Sequence, residues 1–504
     1  MTEPIGAQEE EMIPRIAPPC ILVIFGATGD LTARKLMPSI YNLAHENRLP
    51  AAFACVGFAR REKSREQFQQ EMESSVRQYG RFKPINEKIF KDFKEQIYYH
   101  QSEFDDDAGY ESLRESLENL DEKLGTRGNR VYYLATQPSF FPGICEKLHK
   151  HGLIYPHDSE ERFSRVIIEK PFGSDYTSAK ALQKRLEGYM DENQIYRIDH
   201  YLGKETVQNL LVFRFANSIF ESHWNSRYID HVEITVAEDL GIGGRGKFWE
   251  EAGFLRDIVQ NHMMQLLSLI AMEPPGDLTP GSIHDEKVKV IESIRRFSEE
   301  DLEKSVVMGQ YTSGTVGGTS VKGYREEAQV DPTSTIETYI ALRFFIDNWR
   351  WAGVPFYLRG GKRLPKRVTE VAITFKDAPN VLFQKTNRQS NPNVIAMRIQ
   401  PDEGIDLRIN CKVTGHGSEI HPVKLDFRYG STPPDAYERL LKDCILGDST
   451  LFARQDEVLA SWKLITPILN HWSAKEIDPY FAGSWGPDSA NDMVAADGKK
   501  WRDL

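Results

Sequence analysis

The stretch Ile21-Leu22-Val23-Ile24-Phe25-Gly26-Ala27-Thr28-Gly29-Asp30 runs from five apolar residues into a turn that carries two glycines. A helical pattern follows over residues 34–46. At such a junction, backbone N–H groups and the positive end of the helix dipole face a dinucleotide pyrophosphate, and the absent glycine Cβ lets the anion approach closely. Because the spacing is G-x-x-G and not the full G-x-G-x-x-G, a plain turn between strand and helix remains an alternative.

Residues 20–199 alternate short apolar runs with longer amphipathic runs, which is typical of a parallel sheet with crossover helices. The predicted strands lie at residues 21–25, 53–58, 97–101, 131–135, 166–169 and 195–198. The predicted helices lie at residues 34–46, 65–79, 110–123, 143–149 and 176–190. We therefore expect a Rossmann-like, doubly wound parallel sheet at residues 20–199, after an N-terminal tail at residues 1–19.

The pattern of apolar and polar residues changes in residues 200–504. A helix-like stretch at residues 205–216 precedes alternating apolar and polar segments at residues 230–237, 338–346, 370–375 and 423–427. Further helices are predicted at residues 254–272, 435–446 and 457–469, and a long loop at residues 309–323, which are rich in Gly, Ser and Thr. The pattern indicates a C-terminal α+β domain built on a large, mainly antiparallel sheet packed by helices.

Composition excludes several classes of protein. A net charge of −11 and a pI near 5.7 argue against nucleic-acid binding, which needs a basic face, so any anionic ligand must be held by a local cluster of cations. The five cysteines are scattered and show no C-x-x-C spacing, which fits a reducing cytoplasm and neither a disulfide framework nor a cysteine zinc site. No apolar run approaches the roughly 18 residues of a spanning helix, so we expect no membrane partner.

The residues at the end of the second predicted strand indicate which nicotinamide dinucleotide, NAD or NADP, the chain binds. An acid at its end would bind the ribose 2′-hydroxyl of NAD, but the sequence continues with Arg60-Arg61. Cations at this place favour the 2′-phosphate of NADP. A solvated charge pair at a strand end is the alternative.

Three segments combine side chains that hydride transfer from an alcohol would use. Lys170, before Pro171, closes a predicted strand at the carboxyl edge of the sheet, and a cis bond at Pro171 could fix its position, although a lone lysine is more often a surface residue. Asp199, His200, Tyr201 and Lys204 follow the next strand. Lys204 as a point charge and His200 and Tyr201 as directional donors can clamp a phosphate, although a lone histidine is more often a packed or surface residue.

The third segment places Asp257 and His262 on a polar interruption of an apolar helix. Oxidation of an alcohol needs a base for its hydroxyl proton, and the pKa of histidine suits that role near neutral pH. Asp199, His200 and His262 could instead bind zinc or iron. We predict no metal, because no H-x-x-x-H or comparable ligand pair accompanies them.

These motifs make the chain resemble the glucose-6-phosphate dehydrogenase family, from Ile21 through Trp501. The segments that carry the resemblance are Gly26-Ala-Thr-Gly-Asp-Leu31, Val56-Gly-Phe-Ala-Arg60, Glu169-Lys-Pro171, Arg197-Ile-Asp-His-Tyr-Leu-Gly-Lys-Glu205, Asp230-His-Val-Glu-Ile-Thr-Val-Ala-Glu238, Arg256-Asp257, Asn261-His-Met-Met264 and Val354-Pro-Phe-Tyr-Leu-Arg-Gly-Gly-Lys362. The block that ends at Glu205 is highly specific to that family.

The resemblance implies a site and a reaction. His262 is expected to be the general base and Asp199 its orienting acid, in an oxidation of D-glucose 6-phosphate at C1 to 6-phospho-D-glucono-1,5-lactone, the first step of the oxidative pentose phosphate pathway. The implied substrate-binding residues are Lys170, His200, Tyr201, Lys204, Glu238, Asp257, Lys362 and Arg367. The implied NADP-binding residues are Gly26, Ala27, Thr28, Gly29, Asp30, Leu31, Thr32, Ala33, Arg60, Glu103, Phe104, Tyr133 and Lys170.

The resemblance also implies a homodimer or a dimer of dimers, formed through the sheet of the C-terminal domain. A second, structural NADP is not expected, because the strand Val368-Thr-Glu-Val-Ala372 lacks the basic residues that hold it in other members. Two rival interpretations remain, another NAD(P)-dependent sugar or inositol oxidoreductase and a catalytically inactive NADP-sensing protein.

Overall fold

The computed structural model describes residues 17–159, 161–378, 391–412, 420–428, 434–472 and 476–504, so most of the predicted tail at residues 1–19 lies outside the described residues. The strands are β1 (Cys20–Phe25), β2 (Phe53–Ala59), β3 (Ile97–Gln101), β4 (Arg130–Leu134), β5 (Ser164–Ile168), β6 (Ile195–Ile198), β7 (Ile229–Ala237), β8 (Val306–Thr312), β9 (Gly314–Val316), β10 (Thr319–Val321), β11 (Tyr339–Phe345), β12 (Pro355–Gly361), β13 (Val368–Phe375), β14 (Val394–Gln400), β15 (Gly404–Lys412), β16 (Ile420–Arg428), β17 (Phe452–Ala453) and β18 (Asp478–Phe481).

The α-helices are α1 (Met37–His45), α2 (Arg65–Tyr79), α3 (Glu87–Glu95), α4 (Asp107–Leu124), α5 (Phe141–Lys150), α6 (Tyr176–Leu186), α7 (Glu205–Phe215), α8 (Ser218–Glu221), α9 (Gly246–Phe254), α10 (Met264–Ala271), α11 (Pro280–Ser293), α12 (Glu299–Ser305), α13 (Ala436–Leu446), α14 (Gln455–Trp472) and α15 (Asp488–Ala495). Two π-helical segments, Thr32–Leu36 and Leu255–Met263, precede α1 and α10. Within the described residues, no helix has the length and apolar character needed to cross a membrane.

The chain divides into two compact units. Of the residues that the structure describes, those within Met1–Lys170, Lys184–Ile198 and Pro434–Ala453 form the first unit, and those within Pro171–Gln183, Asp199–Pro433 and Arg454–Leu504 form the second. The chain therefore passes from one unit to the other beside the predicted domain boundary at residue 199. The return of Pro434–Ala453 to the first unit differs from the contiguous division that the sequence suggested.

The first unit contains the predicted doubly wound parallel sheet. Its strand order is β17-β6-β5-β4-β1-β2-β3, and β1 to β6 pair in parallel while β17 runs antiparallel to β6. All six residues of β1 are buried, as expected of a central parallel strand with both faces covered. Helix α3 was not predicted, and the predicted helix at residues 34–46 begins with a π-helical segment.

The second unit contains the predicted large, mainly antiparallel sheet, with the strand order β16-β15-β14-β13-β7-β12-β11-β8-β18. The parallel exceptions within this sheet are the pairs β7–β12 and β8–β18. The predicted loop at residues 309–323 is wrong, because this segment completes β8 and forms the hairpin β9–β10. Gly317 and Gly318, both with positive φ, supply the two-residue turn of that hairpin.

The predicted single helix at residues 254–272 is also interrupted. Gly253, at φ 65° and ψ 176°, breaks the helical path, and the chain continues as the π-helical segment Leu255–Met263 before α10 begins. A π-helix joins the backbone groups of residues five apart, so Asp257 and His262 lie toward the same side of this segment. The π-helical winding therefore sets the relative positions of the polar residues Asp257 and His262.

Buried donors satisfy the carbonyl groups at the end of α10, which have no partner within the helix. The hydrogen bonds run from the Arg214 guanidinium to the carbonyls of Leu269 at 3.0 Å and Met272 at 2.9 Å, from the Trp224 indole to Ile270 at 2.8 Å, and from the Trp351 indole to Ala271 at 2.8 Å. The positive charge of the fully buried Arg214 also complements the negative end of the helix dipole. The far end of the helix that carries His262 is therefore fixed within the core.

Candidate active site

A buried pair of side chains, Asp199 and His262, lies at the centre of the candidate site. Nδ1 of His262 and Oδ1 of Asp199 are 2.5 Å apart; Asp199 is 2% exposed and His262 is 0% exposed. Asp199 directly follows β6 in the chain, whereas His262 belongs to the π-helical segment. The structure therefore joins two residues of the second unit that are far apart in sequence.

The Asp199 carboxylate is ionised at neutral pH. Burial opposes its ionisation, but the charge and hydrogen bond of His262, the charge of His200 and the backbone N–H of Tyr201 together lower the pKa of Asp199 to about 2. A carboxylate held in this way fixes the tautomer and the orientation of an imidazole and stabilises it once it takes up a proton.

Aromatic contacts hold the imidazole on its other sides. The Tyr201 ring stacks on the His262 ring with centroids 4.3 Å apart, and the His200 ring meets it edge-on at 4.5 Å. Burial raises the pKa of the Tyr201 phenol well above its usual range, so its hydroxyl remains protonated. Three residues of the predicted block thus surround the imidazole.

A polar cluster extends from Tyr201 to the edge of β14. Lys204 Nζ donates to Oε1 of Gln400 at 2.7 Å, and the exposed Arg367 donates to the same oxygen at 3.2 Å. The Gln400 amide contacts the Tyr201 hydroxyl at 3.4 Å and Thr369 Oγ1 at 3.0 Å. Gln400 was not predicted, because nothing near it in the sequence shows that β14 ends beside this cluster.

Glu238 and Lys362 form a second part of the site. Glu238 follows β7 and Lys362 follows the neighbouring parallel strand β12, so both lie at the same edge of the sheet, where they form an ion pair. Lys362 Nζ also lies 4.8 Å from the centre of the Trp249 ring. Asp257 is half-buried on the π-helical segment.

The first unit has a cavity of about 650 Å³ at the carboxyl edge of its sheet. Its lining residues are Gly26, Thr28, Gly29, Ala59, Arg60, Arg61, Glu103, Phe104, Asp105, Ala135, Thr136, Gln137, Ser139, Phe140, Gly143 and Ile144. Six predicted cofactor residues are among them, namely Gly26, Thr28, Gly29, Arg60, Glu103 and Phe104. The cavity therefore combines the glycine turn with the two arginines at the end of β2.

The glycine turn packs closely against the backbone that follows β4. Gly26 has a φ of +82°, and a Cβ added there would lie 2.4 Å from the carbonyl oxygen of Ala135. The other predicted contacts Ala27, Asp30, Leu31, Thr32, Ala33 and Tyr133 do not line this cavity. Tyr133 is fully buried, and its hydroxyl donates to Glu169 at 2.5 Å.

Lys170 lies immediately beyond β5, next to Glu169, whose pKa is raised by burial. The strand places Lys170 at the carboxyl edge of the first unit's sheet, as predicted. The cis X–Pro bonds among the described residues precede Pro84 and Pro401, so the open possibility of a cis bond at Pro171 is not realised.

The metal interpretation has a geometric basis. Asp199, His200 and His262 each offer one potential ligand atom, and these atoms lie within 4.8 Å of one another. However, Asp199 Oδ1 and His262 Nδ1, two potential ligands, bond directly to each other at 2.5 Å. We therefore favour an oriented imidazole over a metal centre.

Comparison with known proteins gives a consistent result. Residues 23–209 match the description "Glucose-6-phosphate dehydrogenase, NAD binding domain", and residues 211–502 match "Glucose-6-phosphate dehydrogenase, C-terminal domain". The glucose-6-phosphate 1-dehydrogenase of Chlamydia pneumoniae is 55% identical over 502 residues, 97% of either chain, and that of Chlamydia muridarum is 52% identical over 505 residues, 98% of this chain and 99% of the relative. A solved structure of glucose-6-phosphate dehydrogenase in complex with its substrate glucose 6-phosphate has a TM-score of 0.88 at 33% identity, covering 97% of this chain and 99% of that one.

The substitution Gly26→Ala tests the role of the glycine turn. Its Cβ would meet the Ala135 carbonyl, so we expect dinucleotide binding, measured by fluorescence titration, to weaken about tenfold or more, since backbone strain costs about 1–3 kcal/mol. Gly143→Ala is the matched control, because a Cβ at Gly143, in the wall of the same cavity, meets no atom within 4 Å. Equal affinities of the two variants would contradict the assignment of the turn.

Proposed function

The chain belongs to the glucose-6-phosphate dehydrogenase family, and we propose on that premise that it oxidises D-glucose 6-phosphate at C1 to 6-phospho-D-glucono-1,5-lactone with NADP⁺, as the first step of the oxidative pentose phosphate pathway. The observation that carries the reaction is the buried hydrogen bond between Asp199 and His262. The first unit would bind the nucleotide, and the second unit would bind the sugar phosphate.

His262 removes the C1 hydroxyl proton. Because Nδ1 bonds to Asp199, Nε2 is the nitrogen that receives this proton, and the ionised carboxylate stabilises the imidazolium that forms. Bound NADP⁺ supplies the acceptor for the hydride that leaves C1. The stacked ring of Tyr201 keeps the imidazole plane fixed during this transfer.

The cluster around Gln400 provides the binding site for the 6-phosphate. Lys204 contributes a point charge, the protonated hydroxyl of Tyr201 and the imidazole of His200 contribute directional donors, and Arg367 adds an exposed cation. In this proposal the phosphate displaces the Gln400 carboxamide oxygen from Lys204 and Arg367. Glu238, Asp257 and Lys362 bind the sugar hydroxyls.

The cofactor is assigned to the cavity of the first unit. The glycine turn lines this cavity just before a helical segment, whose N-terminus suits a pyrophosphate, and the guanidinium groups of Arg60 and Arg61 suit a 2′-phosphate. Lys170, at the carboxyl edge of the same sheet, is proposed to bind both the sugar and the nicotinamide side of the cofactor.

The decisive experiment measures absorbance at the reduced-nicotinamide band with NADP⁺ or NAD⁺ and either glucose 6-phosphate or glucose at equal concentration. We expect rapid reduction of NADP⁺ with glucose 6-phosphate and much slower reduction with glucose, because glucose leaves Lys204 and His200 without their anion. Equal rates with free glucose would favour another sugar oxidoreductase. Nucleotide binding without any turnover would favour an inactive NADP sensor.

The substitution His262→Asn is expected to lower kcat by about 10²–10⁴-fold while the substrate still binds, because general-base catalysis contributes on this scale. Steady-state kinetics with glucose 6-phosphate measures the effect. His231→Asn is the matched control: His231 is also a buried histidine bonded to a carboxylate, Asp230, at 2.7 Å. It lies seven residues from Glu238 along the β7 chain, roughly 20 Å away. A His262 variant with wild-type kcat would refute the base assignment.

The substitution Arg60→Ala is expected to reduce the preference for NADP⁺ over NAD⁺ on the order of tenfold, since it removes a charge-assisted hydrogen bond to the 2′-phosphate. The measurement is the ratio of kcat/KM for the two nucleotides. Lys63→Ala serves as the control, because Lys63 pairs with Glu71 and does not line this cavity. Unchanged discrimination in the Arg60 variant would exclude its contact with the 2′-phosphate.

We also propose that two copies of this chain associate through the end of the sheet in the second unit. The edge strand β16 exposes Val423, Leu425 and Phe427 on one face, and the paired residues of β15 on that face, Ile409, Leu407 and Ile405, are also apolar and half-buried. A contiguous apolar face of this kind is typical of an interface between subunits. The same patch on a second copy is complementary to it, as a two-fold dimer requires.

The substitution Leu425→Asp places a charge at the centre of this apolar face, so we expect the protein to shift from dimer to monomer in analytical ultracentrifugation. Lys424→Gln, one residue away on the opposite face of the strand, is the control and should remain dimeric. If the Leu425→Asp variant stays dimeric like the control, this face is not the interface.

A further inference from the structure

A buried carboxylate that neither the motifs nor the proposed chemistry uses lies against the start of the helix that carries His262. Glu337, 5% exposed, accepts a hydrogen bond from the backbone N–H of Leu255 at its Oε1, at 2.9 Å, and one from the N–H of Phe254 at its backbone oxygen, at 3.1 Å. These N–H groups lie at the beginning of the π-helical segment, where helices leave donors without internal partners. Glu337 therefore caps the segment.

Gly253 makes room for this carboxylate. A Cβ at Gly253 would lie 2.4 Å from Oε1 of Glu337, and the φ of +65° at this position also disfavours any other residue. The break between α9 and the π-helical segment thus coincides with the place where the carboxylate enters. Gly253 and the Glu337 carboxylate together fix the first turn of the π-helical segment.

The next residue, Thr338, fixes the backbone of Lys362, which belongs to the second part of the site. Its carbonyl accepts a hydrogen bond from the backbone N–H of Lys362 at 2.9 Å, and its hydroxyl lies 3.1 Å from the hydroxyl of Tyr480. Tyr480 in turn donates to the Lys362 carbonyl at 2.7 Å. The backbone of Lys362, whose ammonium pairs with Glu238, is therefore held from both sides.

We propose that Glu337 is a positioning residue, which sets the distance between the His262 imidazole and the sugar-binding pair Lys362 and Glu238. Two adjacent residues hold the start of the His262 helix and the backbone of Lys362, so a shift at one is transmitted to the other. The buried donors at the far end of α10 keep that end from following. This inference rests on the proposed function, because it concerns the alignment of the same reaction.

The role requires an acceptor oxygen more than a charge. Burial raises the pKa of Glu337, and the Leu255 N–H and the nearby Arg256 oppose that shift only in part. A glutamine has the same length and still offers an oxygen to Leu255. An alanine offers none, and an aspartate is one methylene shorter and cannot reach the same N–H from the same backbone position.

The experiment compares Glu337→Ala, Glu337→Asp and Glu337→Gln by steady-state kinetics with glucose 6-phosphate and NADP⁺, at a temperature at which circular dichroism shows each variant folded. We expect kcat to fall on the order of tenfold or more for Ala and Asp, since small misplacement of reacting groups is costly, and to stay within about threefold of wild type for Gln. Hydrogen exchange at the Leu255 amide should accelerate in the Ala and Asp variants and not in the Gln variant.

Glu250→Ala is the matched control. Glu250 accepts hydrogen bonds from Tyr324 at 2.6 Å and from Ser334, three residues before Glu337, at 2.7 Å. Among the described residues, no hydrogen bond joins it to the π-helical segment. Its loss should lower the melting temperature and leave kcat unchanged, which is the behaviour expected of a purely structural carboxylate.

Three outcomes would overturn the inference: a folded Glu337→Ala or Glu337→Asp variant with wild-type kcat, a Glu337→Gln variant as impaired as Glu337→Asp, or unchanged Leu255 exchange in the Asp variant. If Glu337→Ala does not fold, the Asp and Gln variants decide. A wild-type protein that does not oxidise glucose 6-phosphate would refute the proposed function instead, while the exchange measurement would still test the cap.

Discussion

The candidate site of the second unit is built on a short hydrogen bond between two buried groups, Asp199 and His262. A buried carboxylate stays ionised only beside positive charge or hydrogen-bond donors. The His262 imidazole, the neighbouring His200 and the backbone N–H of Tyr201 provide these for Asp199. The segment that begins at Asp199 and the helix that carries His262 must therefore meet at one place. The helical path, the strand ends and the polar cluster at Gln400 are arranged around that meeting point.

Irregular backbone provides much of this arrangement. A regular α-helix from Phe254 onward would place residues five apart on different faces, whereas the π-helical winding brings Asp257 and His262 toward the same side. Glu337 caps the start of this segment, and Arg214 and two indoles satisfy the carbonyl groups at the end of α10, which follows it. The irregular π-helical segment is thus supported by residues that are distant from it in the chain.

Local patterns in the sequence were enough to predict both sheets, the six parallel strands of the first and the glycine turn, whereas the pairing of Asp199 with His262 was implied by the family resemblance. The features that escaped prediction depend on contacts between distant segments. Nothing near Gln400 shows that it meets Lys204, and nothing near Glu337 shows that it caps a helix some eighty residues earlier in the chain. The Gly317-Gly318 hairpin is different, because its turn signal was present and a composition rich in small residues concealed it.

The return of Pro434–Ala453 to the first unit has a consequence for how the protein is made. Helix α13 bonds to the N-terminal part through Asn42 and Glu438 at 2.8 Å, and β17 covers the edge of β6. At about 5–20 residues per second, a ribosome needs on the order of ten to fifty seconds to travel from Ile198 to Pro434. During that interval the nascent sheet keeps an open edge at β6, and its unpaired backbone groups are a template for wrong strands until the chain's own late segment arrives.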